Sequence, residues 1–130
     1  MHKILIVDDE PDVVALIQRS LELEQFEVIC AYDGIGALDL VESEKPELIL
    51  LDVMMPMMSG YEVCRQLKSN PRTKHIPVLC VTSAHSEDTR QNAQRAGAQG
   101  LLIKPFMPAE LIAQIRRHLE HSATEARADD

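Results

Sequence analysis

Asp8, Asp9, Asp52, Thr82 and Lys104 are the residues of this chain whose types and positions could do chemistry together. Each closes or follows a short aliphatic run: Asp8 and Asp9 follow residues 4–7, Asp52 closes 48–51, Thr82 closes 78–81 and Lys104 follows 101–103. If those runs are parallel strands of one sheet, all these side chains emerge at the same edge. The crevice beyond the carboxyl ends of the strands is where open α/β sheets bind ligands. Carboxylates gathered there repel one another, by about 4 kcal/mol per pair at about 4 Å and an effective dielectric of about 20, so a cation must join them. Mg²⁺ suits such a place, because it favours one or two carboxylates together with waters and phosphate oxygens. Lys104 adds an ammonium on the other side and Thr82 a hydroxyl, the surroundings a phosphoryl group requires.

A carboxylate beside a metal can attack phosphorus and form an aspartyl phosphate. That reaction depends mainly on alignment and on neutralising the equatorial oxygens. Asp52 stands alone on the central run and is the expected nucleophile. Asp8 and Asp9 are adjacent and face opposite ways if strand geometry continues, so their expected role is metal binding, one directly and the other through water.

Taken singly, each residue has an ordinary reading. An Asp-Asp pair after a strand commonly satisfies free backbone donors at a helix start, and a Thr in a loop or a Lys before Pro is commonplace. Only their joint placement at successive strand ends points to a site. Met54, Met55, Met57 and Met58 read as loop packing, since no His or Cys joins them as a soft-metal set. His118 and His121, one helical turn apart, read as a solvated face.

The elements that must position these residues follow from period and punctuation. Strands are expected near 3–8, 27–31, 48–52, 78–82 and 100–103, alternating with amphipathic segments, a pattern of βα units around a parallel sheet. Pro11 opens a first helix to about Leu23. A second follows the turn signal Asp33-Gly34 and ends before Pro46. Ser59 and Glu62 have capping-box spacing for a third, which stops before Asn70. A fourth, from Ser86 to Ala96, has so few apolar residues that it should be the least firmly held. A fifth starts at Pro108 and carries Leu111, Ile112, Ile115 and Leu119 at core spacing. Residues 1–121 are expected to form one domain and 122–130, which lack periodicity, a tail or the start of a linker.

With 130 residues the chain can bury one core, and at 45% hydrophobic but 3% aromatic that core must be aliphatic. A net charge of −8 repels phosphate backbones and argues against direct nucleic-acid binding. The odd, unclustered cysteines Cys30, Cys64 and Cys80 suggest small hydrophobes in a reduced, cytoplasmic setting. No signal peptide or membrane span is expected.

The stretches Ile4-Leu5-Ile6-Val7-Asp8-Asp9-Glu10, Leu50-Leu51-Asp52-Val53-Met54-Met55-Pro56, Gly60, Val81-Thr82-Ser83-Ala84, Gly97-Ala98 and Lys104-Pro105-Phe106 resemble, across residues 2–121, the receiver domain of two-component response regulators. The resemblance implies a flavodoxin-like, doubly wound five-stranded parallel sheet of order 2-1-3-4-5 with five helices, an order for which a chemotaxis receiver is a standard example. It further implies that Asp52 accepts a phosphoryl group from a histidine kinase or phosphotransfer protein, with Mg²⁺ bound by Asp9, Asp52 and the Met54 backbone carbonyl, and Asp8 helping through water. Thr82 and Lys104 would grip the phosphoryl oxygens, small Ser83 would leave access open, and the Lys104-Pro105 bond would be cis. Such a chain is a switch that catalyses its own phosphorylation and dephosphorylation, not an enzyme acting on other substrates. It acts on an output protein or domain through the fourth helix, fifth strand and fifth helix, with homodimerisation on phosphorylation as an option.

Two features depart from or qualify the pattern. The place three residues before Lys104, often aromatic in the family, is Leu101, which puts aromatic-switch signalling in question. Met54 and Ala84 occupy positions that influence phosphate lifetime. An aspartate-nucleophile phosphohydrolase is the competing enzyme class, but Met54 stands where its second Asp is needed. A binding module that has lost phosphorylation is the third class, and the complete acidic and basic set argues against it.

Overall fold

The aliphatic runs form five parallel strands in a computed structural model that describes residues 1–83 and 86–128, with side chains through Ser122. They are β1 (Lys3–Val7), β2 (Glu27–Ala31), β3 (Leu48–Asp52), β4 (Val78–Thr82) and β5 (Gly100–Ile103), in the order β2-β1-β3-β4-β5. Every residue of β3 and β4 is buried, as continuous aliphatic runs covered on both faces require. β2 and β5 are only partly covered and lie at the edges. The chain goes out from β1 to β2 and returns past β1 to β3, so the winding reverses between β1 and β3. There the first helices leave in opposite directions and a crevice opens.

Helices α1 (Pro11–Leu23) and α5 (Pro108–Ala128) cover one face; α2 (Gly34–Glu44), α3 (Gly60–Ser69) and α4 (Glu87–Ala96) cover the other. Val14, Ile17 and Leu21 from α1 and Leu111, Ile115 and Leu119 from α5 meet Ile4, Ile6, Leu48, Leu50 and Leu79. Val63, Cys64 and Leu67 from α3 meet Leu5, Val7, Ile49 and Leu51. Neighbours in sequence along a strand thus supply opposite layers, the period of two of a pleated strand.

The helix starts obey local chemistry. Pro11 sits at the start of α1. Asp33 caps α2 by accepting from the Gly36 amide at 2.7 Å. Ser59 accepts from the Glu62 amide at 3.3 Å and Ser86 from the Thr89 amide at 3.2 Å. The Ser59 box is only half made, because the Glu62 carboxylate is turned to Arg65 at 3.2 Å.

Burying a Leu or Ile side chain is worth about 1.5–3 kcal/mol, and α4 has none to bury. Its buried residues are Thr89, Ala93 and Ala96, so apolar burial contributes less to holding it than to holding the other helices.

α5 continues to Ala128, past His121 where apolar spacing stops. Two expectations are corrected here. His118 is not on a solvated face: its Nε2 is buried against the Gly100 backbone, where a Cβ would lie 3.2 Å from it, and burial lowers its pKa, with Arg117 and His121 adding to the effect. Of the methionine run, Met55 packs into the core, while Met54 and Met57 project from the surface at 68% and 101% exposure. The three cysteines are free, with Cys64 and Cys80 buried as small core residues.

Candidate functional site

Strand register brings the predicted residues to one edge. Val7 pairs with Leu51, so Asp8 comes level with Asp52; Asp52 pairs with Val81; Thr82 pairs with Ile103, and Lys104 follows. The Lys104 amide donates to the Thr82 carbonyl at 2.7 Å, which continues the ladder past β5 and fixes the lysine beside the crevice. The Lys104-Pro105 peptide is cis.

Asp8 is 3% exposed and uses both carboxylate oxygens: Oδ1 accepts from the Glu10 amide at 2.9 Å and Oδ2 from Lys104 Nζ at 3.2 Å. The lysine thus spans from β5 across the site to the end of β1. Strand geometry does not continue past Val7, where the chain bends. Asp8, Asp9 and Glu10 therefore do not alternate: carboxylate oxygens from all three lie within 4.8 Å of one another, Asp8 buried and the other two exposed. Glu10 was not anticipated as a site residue. The sequence signal was the unbroken Asp8-Asp9-Glu10 run, which reads equally well as a helix-start cluster.

Asp52 lies outside that trio and is 4% exposed. Its Oδ1 accepts from the Met54 amide at 3.1 Å. Its pKa is pushed up to about 6, by burial first and by the charges of Asp8 and Asp9, against the opposing pull of the Met54 amide and Lys104. Thr82 is 1% exposed at the adjacent strand end. Ser83 is exposed, consistent with open access, and Ala84 lies outside the described residues.

Gly60, the first residue of α3, presses on the backbone of this strand end. Its amide donates to the Val53 carbonyl at 3.2 Å, and a Cβ on it would lie 2.2 Å from the Asp52 carbonyl oxygen. Nothing in its local sequence beyond the preceding Ser cap reveals that contact.

The donor chemistry fits Mg²⁺. The Asp8-Asp9-Glu10 carboxylates lie together, Asp52 feels the charges of Asp8 and Asp9, and Lys104 sits on Asp8, so the carboxylates offer hard oxygen donors beside an ammonium. Because Lys104 favours ionised Asp52, Lys104→Met is expected to raise the Asp52 pKa above its present value of about 6. A carboxylate ¹³C titration of metal-free protein checks this, and an unchanged or lower Asp52 midpoint would contradict the geometry.

A parallel 2-1-3-4-5 sheet with an acidic cluster at its switch point and a lysine reaching in from β5 defines a flavodoxin-like fold of the signalling type. The family model described as the response regulator receiver domain matches residues 4–116. Among curated proteins, the chain is 41% identical over 124 residues to the alkaline phosphatase synthesis transcriptional regulatory protein PhoP of Bacillus subtilis, covering 95% of this chain and 51% of that protein. It is 40% identical over 127 residues to response regulator MprA of Mycobacterium bovis, covering 98% of this chain and 54% of that protein. The chain therefore spans about half the length of these relatives.

Among solved structures, chemotaxis protein CheY4 of Vibrio cholerae superposes with a TM-score of 0.86 at 32% identity, covering 90% of this chain and 98% of that one. A CheY-like receiver domain protein from Methanospirillum hungatei gives a TM-score of 0.90 at 28% identity, covering 96% and 98%. The chain belongs to the response regulator receiver domain family. No helix among the described residues is long and apolar enough to cross a membrane.

Proposed function

We propose that this receiver domain is a phosphoacceptor switch in which Asp52 takes a phosphoryl group from a histidine kinase or phosphotransfer protein. The observation that carries this reading is the gathering of Asp52, the Asp8-Asp9-Glu10 trio and Lys104 at the reversal of the winding, in register across β1, β3 and β5.

An Asp52 carboxylate oxygen attacks phosphorus in line with the leaving group, and a P–O bond forms as the donor's bond to phosphorus breaks. Mg²⁺, held by Asp9, Asp52 and the Met54 carbonyl with Asp8 and Glu10 around it, would supply the charge that neutralises the phosphoryl oxygens. Lys104 Nζ, now on Asp8, transfers one or more of its hydrogen bonds to the incoming phosphoryl group, and the Thr82 hydroxyl donates a second from β4. Moving such a switch from 1:99 to 99:1 requires phosphorylation to favour the active state by roughly 5.5 kcal/mol. Several charge-assisted hydrogen bonds supply that order of energy.

Turnover of other substrates is disfavoured by Met54, whose thioether cannot serve as acid or base beside Asp52. The α4-β5-α5 face is the surface that signals to an output protein or domain, alone or through a homodimer, and the setting is cytoplasmic. α4, with its small buried residues, is the part of that face easiest to displace.

Incubation with acetyl phosphate and Mg²⁺ is expected to load one acid-labile phosphoryl group per chain, measured by intact mass, and chelation of the metal is expected to prevent it. Labelling that proceeds equally in excess chelator would remove the metal from the reading. Repeated turnover of a phosphate ester without accumulation of phosphoprotein would favour a phosphohydrolase.

A further inference from the structure

We propose that Tyr61 is the positioning residue that couples the Asp52 strand end to α4, an inference that rests on the phosphoacceptor reading of Asp52. Three observations converge on it. Gly60 is wedged against the Asp52 and Val53 backbone, closer than any side chain would permit, so the start of α3 must follow any shift of that strand end. Tyr61 is the next residue, and its ring packs with Val53 at the end of β3, Cys80 in β4 and Ala93 in α4. Its hydroxyl donates to the Thr89 carbonyl in the first turns of α4 at 3.4 Å.

The rest of the α4 environment tells which way this contact acts. At the other end of α4 the Cys64 thiol donates to the Ala96 carbonyl at 3.4 Å, and Gly97 closes the helix in a left-handed conformation against the Lys68 side chain. Both ends of α4 are therefore tied to α3, one by Tyr61 and one by Cys64. On the β5 side of the start of α4, a cavity of about 250 Å³ is lined, among the described residues, by Ser86, Glu87, Arg90, Leu101 and Ile103.

α4 can thus swing its first turn into that space about its tethered C-terminal end, and the Tyr61 hydroxyl is what holds it back. Leu101 reaches the same cluster but has no hydroxyl with which to do so. Tyr61 lies on the Asp52 side of the hinge and Thr89 on the moving side, so a change at the phosphoacceptor is transmitted as retention or release of this one bond.

The test compares wild type, Tyr61→Phe and Cys64→Ala by hydrogen exchange of the α4 segment, with and without Mg²⁺ and beryllofluoride as the phosphoryl analogue. Tyr61→Phe keeps the ring and removes only the hydroxyl, so the fold survives. Exchange in the first turns of α4 should rise about fivefold in the unmodified variant, the factor one neutral hydrogen bond supplies. The further change on beryllofluoride should shrink relative to wild type, while β3 and β4 exchange as in wild type. Cys64→Ala should instead act at the C-terminal end of α4.

If beryllofluoride binds and α4 responds identically in wild type and Tyr61→Phe, the coupling is overturned and the phosphoacceptor reading stands. If wild type fails to bind beryllofluoride with Mg²⁺, the phosphoacceptor reading falls and takes the coupling with it. A uniform rise in exchange across the whole domain would assign Tyr61 to general stability and likewise overturn the proposal.

Discussion

Asp52→Asn is expected to take up no phosphoryl group from acetyl phosphate and Mg²⁺, and to be more stable than the parent chain at neutral pH. The first effect follows from removing the attacking oxygen's charge, since a carboxamide is no nucleophile toward phosphorus. Intact mass after exposure to the donor reads it directly, and stoichiometric labelling of the variant would transfer the nucleophile's role elsewhere.

The second effect follows from linkage. The folded protein holds the Asp52 proton up to about pH 6, while the unfolded chain releases it near 3.8. Ionisation therefore costs folding free energy: the cost is absent below the lower value, grows between the two and is complete above the upper one. A difference of about two pH units corresponds to about 3 kcal/mol. Urea denaturation without metal should show Asp52→Asn stabilised by up to about 3 kcal/mol near pH 7.5, and by almost nothing near pH 4. A variant equally stable at both pH values, or less stable at the higher one, would show that Asp52 is not held at the expense of its charge.

Gly60→Ala is expected to destabilise the fold by about 3 kcal/mol, the upper end of what overpacking a filled interior costs. The added methyl would lie 2.2 Å from the Asp52 carbonyl oxygen, 2.7 Å from Val53 Cα and 2.9 Å from the Asp52 carbonyl carbon. All three are backbone atoms of Asp52 and Val53 at the end of β3, so no side chain can swing aside to relieve the clash. Either α3 is pushed off the sheet or the end of β3 moves. A displacement of about 1 Å at a reacting group can cost about 100-fold in rate, so phosphorylation by acetyl phosphate should slow by a comparable factor.

Gly36→Ala is the control. There the nearest atom to an added Cβ is the Asp33 carboxylate oxygen at 3.1 Å, the end of a side chain that can adjust, and the cost should stay below about 1 kcal/mol. Denaturation midpoints and labelling rates for the two variants decide the matter. Equal behaviour would mean that the approach of α3 to the Asp52 backbone is not tight.

Much of the architecture is legible because it depends on neighbours in sequence. β3 and β4 are short aliphatic runs, Ser59 and Ser86 are helix caps, and Pro11 and Pro108 open helices; each signal acts within a few residues of where it is written. Strand direction follows from the alternation of runs with helical segments. In a parallel sheet every strand ends at the same edge, so Asp8, Asp52, Thr82 and Lys104 share that edge whatever their separation along the chain.

Other features depend on how distant elements touch, and local sequence cannot carry them. The bend after Val7 overrides strand alternation and brings Glu10 in with Asp8 and Asp9. Lys104 reaches across to Asp8, a contact set by the depth and spacing of β1 against β5. The raised pKa of Asp52 reflects burial together with the charges of Asp8, Asp9 and Lys104 from two other segments. His118 looked solvated because its sequence neighbours are charged, yet its ring faces Gly100, where the missing side chain leaves room for it. The succession of helices and strands along the chain was determined by sequence alone, through short-range capping and burial; the reach of each side chain at the site was decided only by tertiary packing, because it depends on ångström-scale distances between segments tens of residues apart.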